Sequence, residues 1–242
     1  MIDIHSHILP GMDDGAEDTQ EMLDMAAMAV SCGVTTMVTT PHVNVPGVCD
    51  NYYDKSFIES FRRAEAKLQE VNIPLQLIMG MEVFVTPDVP ELIKDKKVLP
   101  INNGKYLLVE FSFDEEGTYI KKMLRKIADL NIFPVIAHPE RYEYVQDNPA
   151  VVQEWKRQGY VMQANKGSFT GRFGKRAYNT AYELLEQQLL GAIASDCHGS
   201  GERTPYLKDA YEELLKTYSE ESLIKLFKTN PRRICMNQKI VY

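Results

Sequence analysis

Two hydrophobic rhythms alternate along this chain. Short runs rich in β-branched and apolar residues are separated by longer stretches in which apolar residues recur at every third or fourth position. The first rhythm predicts strands at Met1–His7, Thr35–Thr40, Leu75–Phe84, Tyr106–Phe111, Phe133–Ala137, Tyr160–Asn165 and Gly191–Ser195. The second predicts helices near Glu17–Cys32, Tyr53–Val71, Val89–Lys96, Tyr119–Leu130, Arg176–Leu190, Leu207–Tyr218 and Glu221–Lys228. A further helix is expected to start at Asn148-Pro149, with Asn as cap and Pro in the first turn, and to stop at Gly159. Asp18 and Glu21 have the spacing of a capping box, and Ser219 can cap the last helix.

Strand–helix alternation of this kind implies a parallel sheet with crossover helices. No glycine-rich phosphate loop follows the first strand, so a nucleotide-binding fold has no support. No repeat, low-complexity stretch or linker divides the chain. A single α/β domain spanning 1–242, closed as a distorted seven-stranded TIM-like barrel, is the simplest arrangement. In such barrels the reactive residues stand at the C-terminal ends of the strands.

Those ends carry an unusual set of side chains. His5 and His7 end the first strand at i and i+2, which places them on one face. His42 ends the second, Glu82 lies near the end of the third, Glu110 ends the fourth and His138 follows the fifth. Asp196 and His198 follow the seventh, again at i and i+2, and Asp14 lies in the loop after the first. All five histidines of the chain belong to this set. Asp13-Asp14-Gly15 is also ordinary turn chemistry. Glu110, however, sits in Leu-Leu-Val-Glu-Phe, where an unpaired carboxylate is costly to bury and a cation is the obvious partner. A closed barrel brings all nine side chains to one mouth as a polynuclear metal site.

Arg141 and Arg203 follow His138 and His198 closely and would stand at the same mouth, where guanidinium groups can bind phosphate bidentately. Their neighbours Glu140 and Glu202 offer simple rim salt bridges instead. Lys166, Arg172, Lys175 and Arg176 form a basic stretch, read mostly as a solvated loop. Cys197 and Arg203 match the Cys-x5-Arg spacing of cysteine phosphatases.

Composition narrows the classes. The formal net charge of −7 argues against nucleic acid and anionic membrane surfaces as partners. The four cysteines form no Cys-x-x-Cys pair and read as reduced thiols. No signal-peptide pattern or membrane-length apolar run is seen, so a soluble cytoplasmic protein with no membrane insertion is expected.

The stretches MIDIHSHILPGMDDGAED, TTPH, GMEVF, IAHPER and SDCHG, in this order, resemble the polymerase-and-histidinol-phosphatase (PHP) superfamily. Within it the chain resembles the bacterial metal-dependent tyrosine phosphatases of capsule and exopolysaccharide loci. The resemblance implies three divalent metal ions. His5, His7, Glu82 and Asp196 would hold the first; Glu82, Glu110 and His138 the second; Asp14, His42 and His198 the third. Ligands of nitrogen and oxygen without thiolate favour manganese, with iron or zinc as alternatives. Arg141 and Arg203 would bind the phosphate. No general acid is evident, with Asp196 as one candidate; a phenol leaving group needs less protonation than an alkanol. The implied partner is the phosphorylated tyrosine-rich tail of a kinase of polysaccharide export. Competing functions are a histidinol-phosphate-type phosphatase, a cysteine phosphatase acting through Cys197 and Arg203, and a non-catalytic metal-binding module.

Overall fold

The computed structural model describes residues 1–242. Nine strand segments occur: β1 (Ile2–Asp3), β2 (Thr36–Thr39), β3 (His42–Val43), β4 (Gln76–Met79), β5 (Glu82–Phe84), β6 (Tyr106–Glu110), β7 (Phe133–Ala137), β8 (Val161–Asn165) and β9 (Ala192–Ala194). They form the seven staves expected, because two staves are each split in two. Pro41 has no N–H to continue the ladder between β2 and β3. At Gly80, between β4 and β5, a Cβ would lie 2.7 Å from Val38 Cγ1, so the two staves approach closely where they bend.

All pairings between strands are parallel, in the orders β1-β2-β4 and β3-β5-β6-β7-β8-β9. Gly80 N donates to Thr39 O (3.0 Å) and Glu82 N to Pro41 O (3.1 Å), carrying the pairing across the bend. The last stave returns to the first: Asp196 N donates to His5 O (2.9 Å) and His7 N to Cys197 O (3.0 Å). These bonds make the sheet a ring.

The helices are α1 (Thr19–Ser31), α2 (Lys55–Glu70), α3 (Val89–Lys94), α4 (Gly117–Ala128), α5 (Glu143–Asp147), α6 (Val151–Arg157), α7 (Lys166–Phe169), α8 (Gly174–Glu186), α9 (Lys208–Leu215), α10 (Glu220–Ile224) and α11 (Asn230–Cys235). Three departures from expectation have local causes. Asn148 does not cap α6; it ends α5, a helix the periodicity did not predict. Part of the basic stretch coils into α7. The final helix does not stop near Lys228, because a π-helical turn over Lys225–Thr229 leads into α11, which tolerates Pro231 in its first turn. Asp18 and Ser219 cap as expected. The capping box is only half formed: Asp18 accepts from Glu21 N, while the Glu21 carboxylate accepts from Ser200 N (2.6 Å) in the loop after β9.

The pleat sorts the core into two parts. Tyr106, Leu108, Val135, Ala137, Val161, Ala192 and Ala194 belong to a cluster of 13 residues that also takes in Ile234, Cys235 and Ile240. Their chain neighbours Leu107, Val109, Ile136, Met162 and Ile193 belong to a cluster of 53 shared with the helices. Strands buried on both faces are what an enclosed parallel sheet requires.

Candidate metal centre and active site

All nine side chains expected at the mouth do meet there. Glu82 Oε2 lies at the middle, 3.0 Å from His5 Nε2, 3.2 Å from His7 Nε2 and 3.2 Å from His42 Nδ1. Asp196 Oδ1 lies 3.3 Å from both His5 Nε2 and His7 Nε2. His138 Nε2 approaches Glu82 Oε1 (3.2 Å) and Glu110 Oε1 (3.4 Å). Asp14 Oδ1 approaches His198 Nε2 (3.4 Å) and His42 Nε2 (3.6 Å). Three groups have ligand atoms close enough to share an ion: His5, His7, Glu82 and Asp196; His42, Glu82 and Glu110; and His7, Asp14, His42 and His198. His7, His42 and Glu82 each serve two groups, while His138, expected beside Glu82 and Glu110, falls in none of the three and its place there is taken by His42.

The donor set fits cations. Glu82 Oε2, His42 Nδ1 and His198 Nε2 are buried atoms without a hydrogen-bond partner. His5 Nε2 and His7 Nε2 face each other at 3.2 Å. Lone pairs converging this way in a buried place are unfavourable unless a positive charge lies among them. Burial, together with repulsion from Glu82 and Asp196, pushes Glu110 up to about 9. Burial opposes ionisation of Asp196 as well, but His5, His7 and Arg203 hold its carboxyl well below the usual carboxylate range. Burial pulls His138 down to about 4, leaving the imidazole neutral and able to donate a lone pair.

Several supporting residues were invisible in the pattern. Asp13 Oδ2 accepts from His7 Nδ1 (2.7 Å) and from His42 N (2.8 Å), while Oδ1 accepts from Gly15 N (3.0 Å). Gln163 Oε1 accepts from His5 Nδ1 (2.7 Å), and Asn165 Nδ2 donates to Asp196 Oδ2 (2.5 Å). Each fixes one imidazole tautomer or carboxylate rotamer so that the remaining lone pairs face the centre. His138 (φ 32°), Asp196 (φ 50°) and Arg203 (φ 47°) all adopt left-handed backbone conformations, strain of the kind that gathers at functional sites. The only signal for Asp13 was its place in the turn; Gln163 and Asn165 gave none beyond their polarity in an apolar strand.

Both arginines reach the mouth. Arg203 Nη2 lies 2.6 Å from Asp196 Oδ2, and Arg141 Nη1 lies 3.8 Å from the same oxygen. Neither pairs with its neighbouring glutamate. Glu140 is buried, accepting from Asn165 N (2.9 Å) and Ser168 Oγ (2.6 Å), and Glu202 pairs with Arg172. Arg141 and Arg203 line a cleft of about 490 Å³ with His42, Glu82, Glu110, Phe113 and Val48. Lys166 departs from the expected solvated loop: it is buried and paired with Asp209 (2.7 Å). Arg176 pairs with Asp147. Cys197 is fully buried on the ring-closing stave, and burial beside Asp3 pushes its thiol up to about 12. That is the opposite of an activated thiolate, so the Cys-x5-Arg match has no chemical support.

A closed parallel barrel with a histidine–carboxylate cluster at its strand ends defines the class: a metal-dependent hydrolase. The fold is shared more widely: the phosphotriesterase from Mycobacterium tuberculosis superposes with a TM-score of 0.61 over 99% of this chain and 95% of that one, at 11% identity. The family is narrower. The family described as "Capsular polysaccharide synthesis, CpsB/CapC" matches residues 1–236, and the chain belongs to it. It is 34% identical to the tyrosine-protein phosphatase YwqE of Bacillus subtilis, covering 99% of this chain and 93% of that protein. It is 35% identical to the tyrosine-protein phosphatase CpsB of Streptococcus pneumoniae, over 99% and 100%. A crystal structure from work on these two, described as unique metal-dependent tyrosine phosphatases, superposes with a TM-score of 0.91 at 33% identity, over 100% of this chain and 96% of that one.

Proposed function

We propose that this protein is a metal-dependent protein-tyrosine phosphatase that removes phosphate from a tyrosine kinase controlling capsular or exopolysaccharide synthesis. The observation that carries the reading is the convergence of nine ligand-type side chains and two arginines on one cleft, in a chain of the CpsB/CapC family.

His5, His7, Glu82 and Asp196 would hold one divalent ion, and Glu82, Glu110 and His138 a second. Asp14, His42 and His198, with His7 beside them, would hold a third. Nitrogen and oxygen donors without thiolate suit manganese, iron or zinc. Bound ions supply Lewis acidity, neutralising phosphoryl oxygens and activating water at neutral pH. The chain does the rest. Arg203, anchored on Asp196, and Arg141 present N–H edges to the phosphoryl oxygens and hold phosphorus in line for attack. Asp196, kept ionised by its neighbours, has no proton to give, so its role is to bind and orient rather than to act as an acid. A phenol leaving group, with a pKa of about 10, tolerates that.

The cleft mouth favours a protein substrate over histidinol phosphate. Val48 is 79% exposed and Phe113 39% exposed at its rim, apolar surface suited to a tyrosine side chain on an accessible segment. No helix is long and apolar enough to cross a membrane. The test is turnover of a phosphotyrosine peptide and of histidinol phosphate, before and after chelation and with Mn²⁺ restored. Peptide turnover that is lost on chelation and returns with metal supports the proposal. Preference for histidinol phosphate, or no phosphate release by metal-loaded protein, overturns it.

A further inference from the structure

Arg203 is held through its contact with Asp196, whereas Arg141 is packed against two aromatic rings. Its guanidinium carbon stands 4.2 Å from the centre of the Phe113 ring and 4.3 Å from the centre of the Phe173 ring. The nearest carboxylate oxygen, Asp196 Oδ2, is 3.8 Å away, beyond hydrogen-bond range. Its N–H donors are therefore left for a ligand, while the guanidinium carbon stands over two rings. The two rings come from distant parts of the chain, Phe113 from the loop after β6 and Phe173 from the turn before α8. Phe113 is braced by His138 and Tyr142, with ring centres 5.8 and 6.3 Å away. Phe173 rides on a turn flanked by Gly171 (φ +80°) and Gly174 (φ +87°). It also lies against Gly167, where a Cβ would come within 2.8 Å of Phe173 Cε2.

We propose that Phe113 and Phe173 are positioning residues: they clamp Arg141 between two aromatic faces, fixing the plane in which it meets a phosphoryl group. The proposal rests on the phosphate-binding role given to Arg141 above. An unclamped arginine at the mouth would spend its rotamer freedom on each binding event, whereas the clamp removes that freedom beforehand. Cation–π attraction holds it there without using a donor.

The test is a double-mutant cycle on metal-loaded protein, reading inorganic-phosphate affinity by calorimetry. Phe113→Leu and Phe173→Leu should each weaken phosphate about 3- to 30-fold. Phe173→Tyr should retain affinity within about twofold, since a ring face is all that is required. In an Arg141→Gln background each Leu substitution should matter less than about twofold. Equal losses in both backgrounds, or no loss in either, overturn the proposal. Should Phe113→Leu fail to fold, Phe173→Leu on its surface turn carries the cycle alone. A second measurement needs neither metal nor phosphate: nitrogen relaxation at Arg141 Nε should report a more mobile side chain in Phe173→Leu, and unchanged order overturns the clamp. If wild type binds phosphate with this pattern but hydrolyses no phosphotyrosine peptide, the phosphatase reading fails and the clamp stands.

Discussion

Replacing Asp13 by asparagine should loosen the metal centre without touching any ligand. The Asp13 carboxylate receives three N–H donors: His7 Nδ1 and the His42 amide on one oxygen, the Gly15 amide on the other. An amide side chain has one acceptor oxygen and one donor group, so it cannot serve both sides. With its NH₂ toward His7, that ring must accept at Nδ1 and carry its proton on Nε2. Nε2 is the nitrogen that lies 3.2 Å from Glu82 and 3.3 Å from Asp196, and a protonated Nε2 has no lone pair for a cation. With its NH₂ toward Gly15 instead, two donors oppose each other in a buried place. Either way the substitution should cost about 10- to 100-fold in metal affinity, which is about 1.4–2.8 kcal/mol. The measurement is a competition titration against a chelator of known affinity, with bound metal counted by mass spectrometry. An Asp13→Asn protein that is folded and binds metal within about twofold of wild type would refute the claim that Asp13 sets the His7 tautomer.

Three further outcomes are expected. Cys197→Ser should keep phosphatase activity within a few-fold when metal content is matched; loss of all activity in metal-replete protein would revive a thiolate mechanism. Without metal, Glu110 at about 9 is protonated at neutral pH, so a cation must displace its proton. Apparent affinity should therefore climb with pH towards about 9, with proton release seen as buffer-dependent binding enthalpy, and a flat pH profile contradicts it. Gly15→Ala places a Cβ 2.0 Å from His7 O, a backbone atom that cannot step aside. It should destabilise by about 3 kcal/mol or more in thermal unfolding, and a change below about 1 kcal/mol would show that the loop yields.

The sequence made the barrel and its candidate ligands legible for one reason. Ligands placed by strand ends need only local rhythm to be found: His5 and His7, Asp196 and His198, and Glu110 in its apolar run all stand out of their own segments. What the rhythm could not show is what depends on distance along the chain. Gln163 steadies His5 from 158 positions away, and no local pattern marks it. Asp13 looked like turn chemistry because it is that too, accepting from Gly15 N while holding His7. The left-handed backbones of His138, Asp196 and Arg203 are tertiary strain, which the residue types alone do not reveal. Glu140 beside Arg141 suggested a rim ion pair, yet Glu140 is buried against Asn165 and Ser168 while Arg141 lines the cleft. The Asn148-Pro149 signal misplaced a helix start because a short helix already ended there.

The bonds that join His5 to Asp196 and His7 to Cys197 tie together segments about four-fifths of the chain apart. Three of the residues bound into that seam, His5, His7 and Asp196, are proposed to hold the same ion, so a cation there would also rivet the join. A chain emerging from the ribosome cannot hold this centre until residue 198 and its stave are free to fold back on the first. Activity that depends on the proposed centre would therefore wait until most of the chain has been made.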